Sequence, residues 1–234
     1  MLPAVILCGG LSTRIYPLAS DKPKSMITIL GRPFIDHQLM LLQQNGVKNV
    51  LLCIGKFGDQ IYNYVRNGNK WGLSVEYSDD GDTLLGTGGA LQNAYSFLPN
   101  EFIIINGDSY LDIDYNPVID TFAREGKPLL MTVVPVFKTH LNGNIRIQNK
   151  KIIKYDTTCS DLPYIDYGLT VMKKRLLDYF PTKPPFDLAV AYQEPILSGQ
   201  VACYMSPKTF HEIGSFEGLE KTKNYLRRKY YGTQ

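Results

Sequence analysis

The chain has 234 residues, a length that a single α/β or barrel domain of about 200–250 residues fills. Hydrophobic residues at 44% and charged residues at 20% are globular values, and they exclude disordered, collagenous and coiled-coil classes. The net charge of +3, from 25 Lys and Arg against 22 Asp and Glu, is too balanced for a protein that coats nucleic acid, so an anionic ligand must be met by a local cluster of charge.

The first residues go directly from a short apolar run, Ala4 to Cys8, into Gly9-Gly10. No basic segment and cleavage site frame that run, and no stretch approaches the ~18 apolar residues of a membrane span. The expectation is a cytoplasmic protein with no membrane or nucleic-acid partner. Cys8, Cys53, Cys159 and Cys203 are far apart and lack metal-ligand spacing, which predicts reduced, mostly buried thiols.

In chain order, residues 4–8 predict a buried strand. Residues 34–44 predict a helix entered after Gly31 and Pro33 and closed by Asn45-Gly46. A strand at 50–54, a helix at 59–65, a strand at 73–77, a helix at 90–97 and a strand at 102–105 follow. Residues 117–124 predict a helix and 129–134 a strand. Such alternation implies βαβ units, hence an α/β, Rossmann-like, mostly parallel mixed sheet with helices on both faces. Beyond Pro135 the pattern becomes β-rich. Residues 145–147 and 152–155 predict a hairpin, followed by a strand at 165–172 and a basic amphipathic stretch at 173–180. A proline-rich turn precedes a helix at 187–197, a strand at 201–204 and a last helix at 218–230. With no repeat or linker, residues 1–234 predict one domain with a small appended β-rich lobe.

In open parallel sheets, ligands bind beyond the carboxyl ends of the strands. The first such segment is Cys8-Gly9-Gly10-Leu11-Ser12-Thr13-Arg14, followed by Pro23-Lys24-Ser25-Met26. Paired glycines let backbone N–H groups converge on an anion, and Arg14 and Lys24 add two cations. The P-loop pattern is absent, and Gly86-Thr87-Gly88-Gly89 leads into Ala90-Leu91, an incomplete dinucleotide fingerprint that argues against a nicotinamide oxidoreductase.

Taken with Leu85-Gly86-Thr87-Gly88-Gly89-Ala90, Asn106-Gly107-Asp108, Asp166-Tyr167-Gly168 and Glu212-Ile213-Gly214-Ser215, these segments resemble the sugar-1-phosphate nucleotidyltransferases, closest to the heptose-1-phosphate guanylyltransferase type. The resemblance implies transfer of a nucleoside monophosphate from an NTP to a sugar 1-phosphate, with Mg²⁺ as cofactor. A homodimer is compatible with it. Residues 1–135 would bind the nucleotide and 136–234 the sugar phosphate. By the same resemblance, Leu7, Gly9, Gly10, Ser12, Thr13 and Arg14 cradle the triphosphate side, and Gly86, Thr87, Gly88 and Gly89 lie against the base. Arg14, Lys24 and Asp108 carry catalysis, Asp108 and Glu212 hold the metal, and Asn142, Gly143, Tyr167 and Gly168 face the sugar.

Three positions depart from the family pattern. Ser12 replaces a glycine, Glu212 stands where aspartate is usual, and no lysine occupies the place that grips the sugar phosphate, Lys154 being near it. These departures leave two alternatives open: nucleotidyl transfer from CTP or UTP to another phosphorylated small molecule, and a non-catalytic nucleotide-sugar-binding regulatory protein.

Overall fold

A computed structural model describes residues 1–10, 20–139, 141–158 and 161–232. The element order is β1 (Ala4–Leu7), β2 (Thr28–Ile29), β3 (Arg32–Pro33), α1 (Phe34–Gln44), β4 (Asn49–Ile54), α2 (Gly58–Val65), β5 (Ser74–Asp79), α3 (Gly86–Asn93), β6 (Glu101–Asn106), β7 (Ser109–Tyr110), α4 (Asn116–Glu125) and β8 (Leu129–Pro135). It continues with β9 (Ile145–Gln148), β10 (Lys151–Tyr155), β11 (Tyr164–Lys173), α5 (Leu188–Ala191), α6 (Gln193–Leu197), β12 (Val201–Met205), β13 (His211–Glu212) and α7 (Phe216–Tyr231).

β1 is buried along its whole length because both faces of the sheet are covered, which is why its sequence is continuously apolar and not alternating. Ala4 and Ile6 point into a core shared with α1, α2 and α4, through Ile35, Leu39, Ile61, Val65, Val118 and Phe122. Val5 and Leu7 point into the opposite core, shared with α3, α5 and α6 through Leu91, Leu188 and Ile196. The centre of the sheet is parallel: β1 pairs with β4 and β6, and β4 with β5. β11 then runs antiparallel against both β6 and β8.

The hairpin β9–β10 was expected in an appended lobe, but it continues the main nine-stranded sheet, whose longest path is β10-β9-β11-β6-β1-β4-β5. Asn149 and Lys150 both adopt positive φ at its turn, the conformation a two-residue hairpin connection demands. A third, smaller core of Ile29, Phe34, Leu41, Tyr110, Ile213 and Leu226 seats α7 against the β2–β3 side of the molecule.

Candidate active site

The parallel strands β6, β1, β4 and β5 end on one edge, and a cavity of about 740 Å³ opens there. That volume is within the ~300–1,000 Å³ range of small-molecule sites. From β1 come Leu7, Gly9 and Gly10; from the end of β6 come Asn106, Gly107 and Asp108; from the end of β5 comes Asp80. Lys24 and Ser25 contribute from the turn preceding β2, and Gly86, Thr87, Phe186 and Asp187 form another wall.

The Asn-Gly-Asp turn has a packing reason. Gly107 donates its N–H to the Leu7 carbonyl at 3.0 Å, and a Cβ there would lie 2.6 Å from the Leu7 oxygen. Glycine therefore lets β6 close against β1, and Asp108 follows directly at the cavity wall. Its Oδ2 accepts from Lys24 Nζ at 3.0 Å, so two of the three expected catalytic residues meet. The third, Arg14, lies with Ser12 and Thr13 outside the described residues.

Asp80 was not singled out in the sequence, where Asp79-Asp80-Gly81-Asp82 reads as an acidic turn. Its available signal was its place directly after a parallel strand. Asn93 Nδ2 donates to its Oδ1 at 3.0 Å, and its N–H extends the sheet to Ile54 O at 2.9 Å. Burial pushes the Asp80 carboxyl up to about 6, against the hydrogen bond from Asn93 and with the nearby charge of Asp79 adding to the rise.

The four residues expected against the base divide. Gly86 and Thr87 line the cavity. Gly88 and Gly89 are buried and donate their N–H groups to Phe186 O at 3.0 and 3.2 Å. A Cβ on Gly88 would stand 2.4 Å from the Phe186 ring, so these two glycines pack α3 beneath Phe186.

The sugar-side expectation is redistributed in the same way. Tyr167 is fully buried and edge-on to Phe210, a core residue. Gly143 is buried where a Cβ would collide with Leu162 O at 1.6 Å, whereas Asn142 is exposed. None of the three lines the cavity described above. Gly168, at φ +83, lies beside Asn106 and Ser109, next to the Asp108 wall. Asp166, on the face of β11 opposite Tyr167, accepts from Gly168 N at 2.8 Å and from Tyr155 Oη at 3.1 Å.

Glu212 is not in the cavity that holds Asp108. Their backbones are adjacent, since β13 pairs with β7 and Ile213 N donates to Asp108 O at 3.0 Å. The Glu212 carboxylate, however, turns onto the start of α7, where it accepts from Gly214 N, from Ser215 N at 3.0 Å and from Ser215 Oγ at 2.5 Å. It borders a second cavity of about 1030 Å³, which also contains Lys138, Lys221, Arg227 and Arg228. Among the described residues no group of three acidic, histidine or cysteine side chains forms a metal cluster.

The histidines and thiols have structural surroundings. His37 bonds Tyr230 Oη and Ile29 O, each at 3.0 Å, and burial lowers its pKa. His211 stacks on Tyr225, while His140 lies outside the described residues. Burial pushes Cys8 up to about 12 and Cys203 up to about 11, and raises Cys53 as well. These are unreactive thiols at neutral pH; Cys159 lies outside the described residues. No described helix is long and apolar enough to cross a membrane.

Several known proteins are similar to this chain. The UTP–glucose-1-phosphate uridylyltransferase of Synechocystis is 26% identical over 80% of the chain and 53% of that protein. The D-glycero-α-D-manno-heptose 1-phosphate guanylyltransferase of Campylobacter jejuni is 36% identical over 48% of the chain and 50% of that protein. The chain thus spans about half the length of these two relatives. The heptose enzyme of the same name from Aneurinibacillus thermoaerophilus is 29% identical over 97% of the chain and 99% of its own length. Among solved structures, HddC of Yersinia pseudotuberculosis, complexed with GMP-PN, superimposes with a TM-score of 0.79 at 27% identity, covering 97% of this chain and all of that one. The Nucleotidyl transferase family profile matches residues 3–155, a span that contains the Gly9-Gly10 turn, Lys24, Asp80 and Asp108, and the chain belongs to that family.

Proposed function

We propose that the protein transfers a nucleoside monophosphate from an NTP to a sugar 1-phosphate, releasing an NDP-sugar and pyrophosphate, with GTP as donor and a heptose or hexose 1-phosphate as acceptor. The observation that carries this reading is the Lys24–Asp108 pair set beside the Gly9-Gly10 turn in one cavity. The guanylyltransferase names of two relatives and the GMP-PN bound to HddC support the choice of donor.

In this reaction a phosphate oxygen of the acceptor forms a bond to the α-phosphorus, and the bond from that phosphorus to pyrophosphate breaks. A phosphate monoester has its second pKa near ~6, so the nucleophile is ionised at neutral pH and no general base is needed. What remains is to align two polyanions and stabilise charge on the transferred and leaving oxygens. Lys24 supplies one cation on the α-phosphate side, and by the motif Arg14 supplies a second toward the β and γ phosphates. The N–H groups of the Gly9-Gly10 turn orient the triphosphate.

Asp108 suits Mg²⁺, which is characteristically held by one or two carboxylates together with substrate phosphates and waters and not by a full protein cage. When bound, the ion neutralises charge on the phosphate oxygens. Glu212 would reach such an ion only by leaving the start of α7.

A second reading, transfer to a phosphorylated non-sugar, is favoured by one observation. Lys154, the lysine nearest the place of the usual sugar-phosphate grip, is half-exposed and paired with Asp156 at 3.1 Å.

The test offers the purified protein four NTPs with Mg²⁺ against a panel of sugar 1-phosphates and phosphorylated alcohols, and records pyrophosphate release. Turnover with a sugar 1-phosphate, lost by at least about a hundredfold in Asp108→Asn, is expected. Turnover only with a non-sugar phosphate would move the assignment to the second reading. Silence across the panel with tight binding of a finished nucleotide sugar would make the protein a sensor.

A further inference from the structure

We propose that Gln38, on α1, is a positioning residue for nucleotidyl transfer: its side-chain amide fixes the turn that carries Asp108, and with it the place of that carboxylate opposite Lys24. This rests on the nucleotidyl-transfer reading and deepens it by adding a residue that does not itself line the cavity.

The first argument is hydrogen-bond geometry. Gln38 is 3% exposed, and its Nε2 donates to Asn106 O at 3.0 Å and to Ser109 O at 2.8 Å. A primary amide has two N–H donors, and both go to the carbonyls that bracket Gly107 and Asp108. These partners fix which atom is nitrogen, since a reversed amide would set Oε1 against two carbonyl oxygens. Among the described residues Oε1 has no partner, although it is buried. The side chain is therefore placed by the needs of the turn and not by its own surroundings in the core.

The second argument is what the turn keeps without Gln38. Gly107 N still reaches Leu7 O, and Asp108 O still accepts from Ile213 N, each at 3.0 Å. Those bonds hold the middle of the turn, whereas Gln38 holds its two ends. Losing the amide leaves the strands in place and frees the turn to rock about Gly107, which moves the Asp108 side chain.

The third argument is that α1 locates both members of the Lys24–Asp108 pair. Phe34 N donates to Ile27 O and Ile27 N to Lys24 O, each at 2.9 Å, and His37 Nε2 bonds Ile29 O at 3.0 Å. The start of the helix thus holds the segment that follows Lys24. Adjacent helical residues point about 100° apart, so His37 addresses that segment while Gln38 addresses the Asp108 turn. Lys24 Nζ and Asp108 Oδ2 meet at 3.0 Å across two segments referred to one rigid element. A misplacement of about 1 Å caused by a change outside the reacting groups can cost about a hundredfold in rate.

Asp108 is the carboxylate suited to Mg²⁺, so a turn that drifts weakens the hold on that ion. Changes to the partners that orient a ligating group typically cost about 10–100-fold in metal affinity or activity.

The experiment is calorimetric titration of the full chain with GTP, once with Mg²⁺ and once in EDTA, for wild type, Gln38→Met, Asp108→Asn and the double variant. Methionine keeps the length of glutamine but has no donor. Wild type is expected to gain affinity for GTP from Mg²⁺, and Asp108→Asn to lose that gain. Gln38→Met should lower the gain by about tenfold, or to the Asp108→Asn level where the whole gain is smaller. Its affinity for GTP in EDTA should stay within about twofold of wild type, and it should add nothing to Asp108→Asn in the double variant. Gln38→Asn, with its amide one methylene back from both carbonyls, is the second variant and should behave alike.

A glutamine that only stabilises the fold predicts equal losses with and without Mg²⁺. The proposal is overturned by that result, by Gln38 variants that keep the wild-type gain, or by a wild type that gains nothing from Mg²⁺. Where GTP does not bind, CTP, UTP and ATP take its place in the same titration, and binding of one of them defeats only the choice of donor. Binding of none removes the nucleotidyl-transfer reading and this assignment with it.

Discussion

Glu212 and Gly218 form a matched pair. A Cβ on Gly218 would sit 1.6 Å from Glu212 Oε1, so the glutamate occupies the space that the glycine leaves empty on the first turn of α7. Ser215 completes the arrangement, accepting from Gly218 N at 2.9 Å through its hydroxyl while donating to Glu212, a helix start satisfied from two directions. Gly218→Ala is expected to cost about 2 kcal/mol by overpacking, despite the better helix propensity of alanine. In a Glu212→Asp background the shorter side chain withdraws, and the same alanine should be neutral or stabilising. Urea denaturation of the four proteins measures the coupling, and additive effects would disprove the pairing. The convergence of Lys24 and Asp108 on one cavity was legible because each stands in a motif that follows a parallel strand. The direction of Glu212 was not, because it depends on a glycine six residues later that has no meaning until α7 exists. Tyr167 was misplaced for a related reason: alternation along β11 sends it into the core while Asp166 takes the opposite face.

Helix α1 carries the clearest case of an element held by charge. Asp36 is completely buried, and Lys70 reaches it at 2.7 Å, Tyr64 Oη at 2.8 Å and Arg32 at 3.4 Å, tying the turn before Trp71 to the start of α1. Burial alone would raise the Asp36 pKa, but the Lys70, Tyr64 and Arg32 contacts outweigh it and hold the carboxyl below its ordinary value. The stabilisation from this lowered pKa is present above about pH 4, the unfolded carboxyl range, and is lost as pH falls through the folded value. Lys70→Met should therefore destabilise the protein by about 2 kcal/mol at pH 7, with the difference from wild type shrinking below about pH 4. Chemical denaturation at both pH values checks this, and a gap independent of pH would mean that the lysine acts by packing on Tyr64 and Trp71 instead. The ends of α1 were readable because Pro33 precedes it and Asn45-Gly46 closes it, with Gly46 at φ +78. The helix expected at 90–97 begins at Gly86, since its early amides are satisfied by a carbonyl a hundred residues away. The helix expected at 187–197 divides into α5 and α6 at Tyr192; Pro195 has no N–H to give to Ala191 and so weakens a continuous helix there. The two-residue strands β2, β3, β7 and β13 are too short to carry any periodicity.

For the whole molecule, the charge balance sets a requirement. A triphosphate brings roughly four negative charges and a sugar phosphate nearly two more, while the motif cations Arg14 and Lys24 supply two. Removing divalent metal with EDTA is therefore expected to abolish pyrophosphate release. It should move the melting temperature of the unliganded protein by less than about 2 °C, because no acidic cluster among the described residues needs an ion to stay together. Undiminished turnover in EDTA, followed alongside a thermal melt, would refute the charge argument. The parallel centre of the sheet was readable from its continuous apolar runs, whereas its continuation through β11 into β9 and β10 was not, because antiparallel partners distant in sequence leave no local mark. That long-range closure includes the contact of Phe186 with α3: its carbonyl takes the amides of Gly88 and Gly89, and Thr87 and Asp187 bond side chain to side chain at 3.2 Å. One wall of the cavity that holds Lys24 and Asp108 is thus contributed from beyond residue 155, where the family match ends. The segments before and after residue 155 are therefore not interchangeable modules: under the proposed function, grafting a different second segment onto the first would reshape the donor site along with the acceptor site, so evolution of the one specificity would constrain the other.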